Sequence, residues 1–161
     1  MAPDGDLVAT RLARGCRCFA AWSGGEIAGY GWVSTGPEWI GEIELELAPG
    51  PREAYVWNCV TLPAHRRRGV FSGLLIGITA WGRGAGLSRL WIGSVAIPAE
   101  KAVRPAGFSP VLEFQTASLA GARWLNVSVP AGADRALVAE GQARLSVRPG
   151  SSLRRSRRRR H

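Results

Sequence analysis

The chain has 161 residues, enough for one domain with a core and too few for two comfortable ones. Its 46% hydrophobic content and seven tryptophans exclude a disordered chain, and no apolar run approaches the ~20 residues of a membrane span. The formal charge of +9 is no mandate for nucleic-acid binding, because Arg154, Arg155, Arg157, Arg158, Arg159 and Arg160 carry six of those charges and leave +3 for the rest. Met1–Thr10 holds Asp4 and Asp6 and lacks the basic-then-apolar pattern of a secretory signal, so a cytoplasmic chain is expected. Cys16, Cys18 and Cys59 then read as reduced, buried thiols, and with only His65 and His161 beside them no metal site is expected.

In chain order, a short helix is expected at Leu7–Arg14. Cys16–Trp22 and Ile27–Ser34 follow as a hairpin turning at Ser23-Gly24-Gly25. Glu42–Leu47 alternates charged and apolar residues and predicts a strand with one wet face. Beyond Pro49-Gly50-Pro51, Ala54–Leu62 is uniformly apolar, as a central strand is. The period changes after Pro63. Val70, Phe71, Leu74, Leu75, Ile78 and Trp81 recur at helical spacing, and Gly82, Gly84 and Gly86 end that helix. Gly73 and Gly77 leave room for a close neighbour one turn apart. Arg89–Val95 predicts a strand, Pro98–Arg104 a helix stopped by Pro105, and Val111–Leu119 with Trp124–Val129 a final strand pair. A strand, a helix and a strand in succession imply a parallel pair within a mostly antiparallel sheet. The fold class is therefore α/β (α+β), one domain over residues 1–150 with a single mixed sheet, and residues 151–161 form a disordered arginine-rich tail.

The segment Thr61-Leu62-Pro63-Ala64-His65-Arg66-Arg67-Arg68-Gly69-Val70-Phe71-Ser72 carries the chemistry. A strand leaves the sheet into a basic loop that opens an amphipathic helix. Cations are unfavourable at a helix N-terminus, where the dipole is already positive. A bound anion removes that conflict, because first-turn N–H groups and guanidinium groups converge on phosphate oxygens. Gly69 permits close approach of the backbone.

At these residues the sequence resembles the GCN5-related N-acetyltransferase (GNAT) family. A strand, then Pro63, then Arg66-x-x-Gly69-x-Phe71, is similar to that family's Gln/Arg-x-x-Gly-x-Gly/Ala loop, and Gly107-Phe108 follows where its second CoA helix ends. The likeness runs from about Cys18 to Trp124. It implies acetyl-CoA as cosubstrate in the central β-α-β unit, with no metal. Backbone amides within Arg66, Arg67, Arg68, Gly69, Val70, Phe71 and Ser72 would hold the diphosphate. Cys59, Val60, Thr61 and Leu62 would pair with the pantetheine arm, and one N–H there would polarise the thioester carbonyl. The acceptor, a primary amine on a small molecule, peptide or protein, would attack directly in a ternary complex.

Three departures accompany the likeness. Phe71 replaces a small residue. Ala96 and Val103 stand where the family carries an asparagine and a general-acid tyrosine. About 16 residues precede the first hairpin, where the family has a strand and two helices. Either the start is truncated, or a second subunit, as in a homodimer, walls the acceptor site. For a general base, Glu42, Glu44 and Glu46 are expected on one strand face and Glu53 at the head of the central strand, with Glu46 and Glu53 the candidates. Tyr55 and Asn58 are candidate acceptor contacts, while Trp57, Trp91 and Trp124 are assigned to packing. The competing readings are a non-catalytic acyl-CoA-binding relative and a protein contacting nucleic acid weakly through its tail.

Overall fold

The computed structural model describes residues 5–94, 102–119 and 122–155. Helix α1 (Gly5–Ala13) leads into strands β1 (Arg17–Ser23), β2 (Glu26–Ser34), β3 (Glu38–Ile40), β4 (Leu45–Leu47) and β5 (Glu53–Thr61). A 3-10 turn at Pro63–His65 precedes helix α2 (Val70–Gly84) and strand β6 (Arg89–Ile92). A second 3-10 turn (Arg104–Ala106), strands β7 (Glu113–Leu119) and β8 (Ala122–Ser128), helix α3 (Arg135–Leu145) and strand β9 (Gly150–Arg155) complete the chain. The class is mixed α+β with mostly antiparallel pairing, as the sequence pattern predicts. None of the described helices is long and apolar enough to cross a membrane.

The chain divides into two compact units, Met1–Glu38 with Ala48–Phe108, and Trp39–Leu47 with Ser109–His161. The described strands form three sheets, where the sequence pattern leads to one. The first unit holds a four-stranded sheet in the order β1-β2-β5-β6. Gly24 and Gly25, at φ 60° and 84°, make the tight turn that pairs Ser23 with Glu26. β5 lies antiparallel to β2 and parallel to β6, with Glu53 to Val56 facing Arg89 to Ile92. The parallel partner follows from α2, which carries the chain back across one face. Its buried Leu74, Leu75 and Ile78 pack on Val33, Ala54 and Val56, with Val103 and Ala106 closing the same core.

The second unit holds the β3-β4 pair and a sheet β7-β8-β9. Asp134 caps α3 by accepting from the N–H groups of Ala136 and Leu137 at 2.8 and 3.1 Å. Leu125, Val127, Val138 and Leu145 are buried. Two expectations change here. Glu42–Leu47 is not one strand, because residues 41–44 turn and Glu44 sits at φ 54°. Arg123 holds that turn, donating to Glu44 Oε1 at 3.2 Å and to the Glu42 carbonyl. The tail is not disordered from residue 151 either. Gly150–Arg155 pairs along β8, whose open edge supplies the ladder that a like-charge run lacks on its own; residues 156–161 lie outside the described residues.

Smaller corrections concern packing. Gly73 and Gly77 face open space, with nothing within 4 Å of where a Cβ would stand, so neither marks a close approach. Cys16 is buried and Cys59 half-buried, whereas Cys18 is exposed. Trp91 is buried but Trp124 is exposed. Most of the Pro98–Arg104 helix lies outside the described residues. Close approach occurs instead at Gly29, where a Cβ would sit 2.7 Å from the Val60 carbonyl oxygen. Gly29→Ala should therefore destabilise the protein by about 1–3 kcal/mol. Gly73→Ala should stabilise it by about 0.5–1 kcal/mol; urea titration of the two variants checks both signs.

Candidate functional site

Among the described residues, β5 is flanked on both sides as far as Val56, where its pairing with β6 ends at Ile92. One residue later the β2–β5 register slips. Tyr30 faces Val60 but Trp32 faces Trp57, which leaves an extra residue on β5. Asn58 takes up that excess at φ 45°, a left-handed conformation that asparagine tolerates better than most residues. Beyond the bulge, no strand among the described residues pairs with Trp57–Thr61 on the β6 side. The Leu62 N–H donates to the Ala28 carbonyl at 2.9 Å, so Leu62 faces β2. Alternation along an antiparallel ladder then turns the Thr61 backbone groups to the free side.

The chain leaves this edge through Pro63–His65 and curls at Arg67 (φ 60°) and Gly69 (φ 76°). Gly69 is the N-cap of α2, and its carbonyl accepts the first helical bond from Gly73 N–H at 2.9 Å. The N–H groups of Val70, Phe71 and Ser72 therefore have no acceptor within the helix. Among the described residues no side chain caps them, and the first turn holds no acidic residue. Among the described residues, no carboxylate forms an ion pair with Arg66, Arg67 or Arg68. A depression of about 280 Å³ lies over this turn, lined by Thr61, Arg66, Arg67, Gly69, Val70, Phe71, Ser72 and Ala102. The Ser72 hydroxyl donates to the Ala102 carbonyl at 3.1 Å, fixing the far wall.

Seven of the residues singled out from the sequence thus meet in one cavity. Arg68 is exposed outside it, Leu62 is tied to β2, and Cys59 points its sulfur towards Gly31 and α2. Ala102 is an addition that the sequence signals only through the helix expected before Gly107-Phe108. Val103 is buried in the core at 6% exposure, so it lends no polar group to the cavity, and Ala96 lies outside the described residues.

The two carboxylates fare differently. Glu53 is 5% exposed. Its Oε2 accepts from Trp91 Nε1 at 2.8 Å and from Gly50 N–H at 2.9 Å, and Arg89 lies 3.9 Å from Oε1. It stands at the opposite end of β5 from Thr61, about 25 Å away at the usual strand rise. Glu53 therefore joins β5 to β6 at the end of the strand away from the cavity. Glu46 is exposed on β4 in the second unit, and the turn at 41–44 removes Glu42 and Glu44 from its strand face. Tyr55 is buried, and Asn58 turns its amide to Arg11.

The acetyltransferase (GNAT) family model matches residues 3–108. The chain belongs to this family. The match includes α1 and stops where the first unit stops, so residues 109–161 of the second unit fall outside it. No curated protein sequence matches the chain. Among solved structures it is similar to AAC(6')-Iy in complex with a bisubstrate analogue, CoA-S-monomethyl-acetylneamine, at 18% identity over 67% of this chain and 74% of that one, TM-score 0.51. An aminoglycoside acetyltransferase from an uncultured soil metagenomic sample, in complex with sisomicin, is 15% identical over 74% of both chains, TM-score 0.51. A putative acetyltransferase of Agrobacterium tumefaciens is 21% identical over 68% of this chain and 74% of its own, TM-score 0.51. At these identities the likeness is one of fold. No group of His, Cys, Asp and Glu among the described residues could hold a metal ion.

Two outcomes follow from the side chains of the GNAT sheet. Glu53→Gln should cost about 1–3 kcal/mol of stability in urea titration, the range for a buried hydrogen-bonded group that loses its charge. Burial pushes the Cys59 thiol from its ordinary 9.0 up to about 11. The thiolate is the reactive form, so iodoacetamide at pH 8 should modify Cys59 about 100-fold more slowly than an unshifted thiol and should label the exposed Cys18 first. Peptide mapping of native protein reads the order, and the Cys59 rate should climb until the pH passes about 11.

Proposed function

We propose that the protein is an acetyl-CoA-dependent N-acetyltransferase whose acceptor is a primary amine on a small molecule. The observation that carries this reading is the uncapped, acid-free N-terminus of α2, set beside arginines at the mouth of a cavity. Membership of the GNAT family supports it, as do the CoA and aminoglycoside ligands named for the structural neighbours.

Acyl-CoA supplies an acyl carbon already activated as a thioester. The amides of Arg67 to Ser72 hold the diphosphate, with Arg66 and Arg67 neutralising it from the rim. The free edge of β5 takes the pantetheine arm as an added strand, and a backbone N–H there donates to the thioester carbonyl. Such a donor is worth about 3 kcal/mol when it meets developing negative charge. The amine proton passes to solvent water as the acceptor attacks. Val103 cannot protonate the leaving sulfur, so the thiol, with an ordinary pKa near ~8.5, departs as thiolate. The acceptor attacks directly: Cys59 is protonated and turned towards α2, which leaves no acyl-enzyme route through it.

Calorimetry with acetyl-CoA tests the cradle. The triple variant Arg67→Glu, Arg68→Glu, Gly69→Asp should lose at least about 100-fold in affinity, since it puts like charge on the diphosphate and a side chain at a positive φ. Unchanged affinity would overturn the assignment. Release of free CoA thiol with aminoglycosides and simpler amines tests the chemistry. One observation favours a second reading, acyl-CoA binding without transfer: the core position of Val103 where the family's acid would stand. Tight binding with no turnover on any amine would decide for it.

A further inference from the structure

Arg11 belongs to α1, yet only 8% of its surface is exposed. Its guanidinium carbon lies 5.0 Å from the centre of the Trp32 ring and 4.3 Å from that of Trp57. With the Asn58 amide turned so that its oxygen faces the guanidinium, Nη1 and Nη2 donate to Oδ1 at 2.8 and 3.1 Å. Among the described residues no carboxylate pairs with Arg11. Burying a guanidinium without a counter-charge is costly, and two indole faces and one amide oxygen offset only part of that cost. An apolar side chain would pack between the tryptophans at no such penalty. Packing alone therefore does not account for an arginine here.

The target of the fork does. Asn58 is the left-handed residue of the β5 bulge, two positions past the last pairing of β5 with β6. Its backbone conformation costs free energy unless the surroundings hold it. Trp32 and Trp57 face each other across β2 and β5 beside the slip, so Arg11 grips the bulge and both of these neighbours at once. The Arg11 carbonyl in turn accepts from Cys16 N–H at 3.0 Å, which anchors the end of α1 to the start of β1.

We infer that Arg11 is a positioning residue: it holds the β5 bulge at Asn58, and through it the free edge Trp57–Thr61 on which, by the function proposed above, the pantetheine arm of acyl-CoA is to lie. A role in packing and a role in holding the bulge separate on one point. Glycine adopts a positive φ without help. If Arg11 serves the bulge, Asn58→Gly makes that help unnecessary.

Arg11→Lys keeps the charge and most of the bulk but loses the fork. It should weaken acetyl-CoA binding by calorimetry about tenfold, the order expected when a held positive-φ residue is released. It should also speed amide hydrogen exchange at Tyr30 and Val60 in the ligand-free protein. The double variant Arg11→Lys, Asn58→Gly should return affinity to within about twofold of wild type. Wild-type affinity in Arg11→Lys, or no recovery in the double variant, would overturn the inference. The exchange measurement does not depend on the ligand. A wild-type protein that fails to bind acetyl-CoA would sink the proposed function, while unchanged exchange in Arg11→Lys would sink the role of Arg11.

Discussion

Among the described residues, half of β5 pairs on both sides and half on one side, and the first unit is organised around that change. Up to Val56 the strand is a central member of the sheet, buried under α2 and bolted to β6 through Glu53, Trp91 and Arg89. At Asn58 an extra residue twists it off that register, and from Trp57 to Thr61 its β6 side has no described partner strand. An unpaired strand edge is ordinarily a liability. Here it runs straight into the turn that starts α2, so the same bulge sets the direction of the edge and the place where the helix begins.

The N-terminus of α2 adds the second constraint. Its first N–H groups lack acceptors within the helix, its N-cap is a glycine in the left-handed region, and arginines surround it instead of carboxylates. Every local choice that would cap this helix internally has been declined. Local conflicts of this kind concentrate at functional sites, where a ligand supplies the missing interaction. The core side of α2, by contrast, obeys every rule, with Leu74, Leu75 and Ile78 fully engaged. Rigidity on one face and unmet valence at one end are what a preorganised anion cradle requires.

Membership of the GNAT family and the limits of the first unit coincide at Phe108. The second unit buries Leu125, Val127, Val138 and Leu145, and commits Glu42 and Glu44 to a turn held by Arg123. Its C-terminal strand takes Arg154 and Arg155 into a ladder with β8. The N-terminal residues are no mere preamble either, since α1 reaches back with Arg11 to the central bulge.

The proposed anion cradle was legible in the sequence because helix electrostatics and glycine placement are local. Arg66 to Ser72 carry their meaning within two turns of chain, and the hydrophobic period of α2 and the parallel β5–β6 pair follow from patterns of similar range. The roles of the carboxylates were not legible. Glu53 looks like a free acid until Trp91 and Arg89, far along the chain, close on it. Glu42 and Glu44 look like partners of Glu46 until Arg123 pulls their segment into a turn. Arg11 carries no signal at all, because the role inferred for it lies in a contact, far along the chain, with a bulge that a register slip creates. Periodicity records which face a residue presents. Only tertiary packing decides which polar atoms on that face are already committed, and here that decision separates the cradle, open to a ligand, from the acids that hold sheet and turn together.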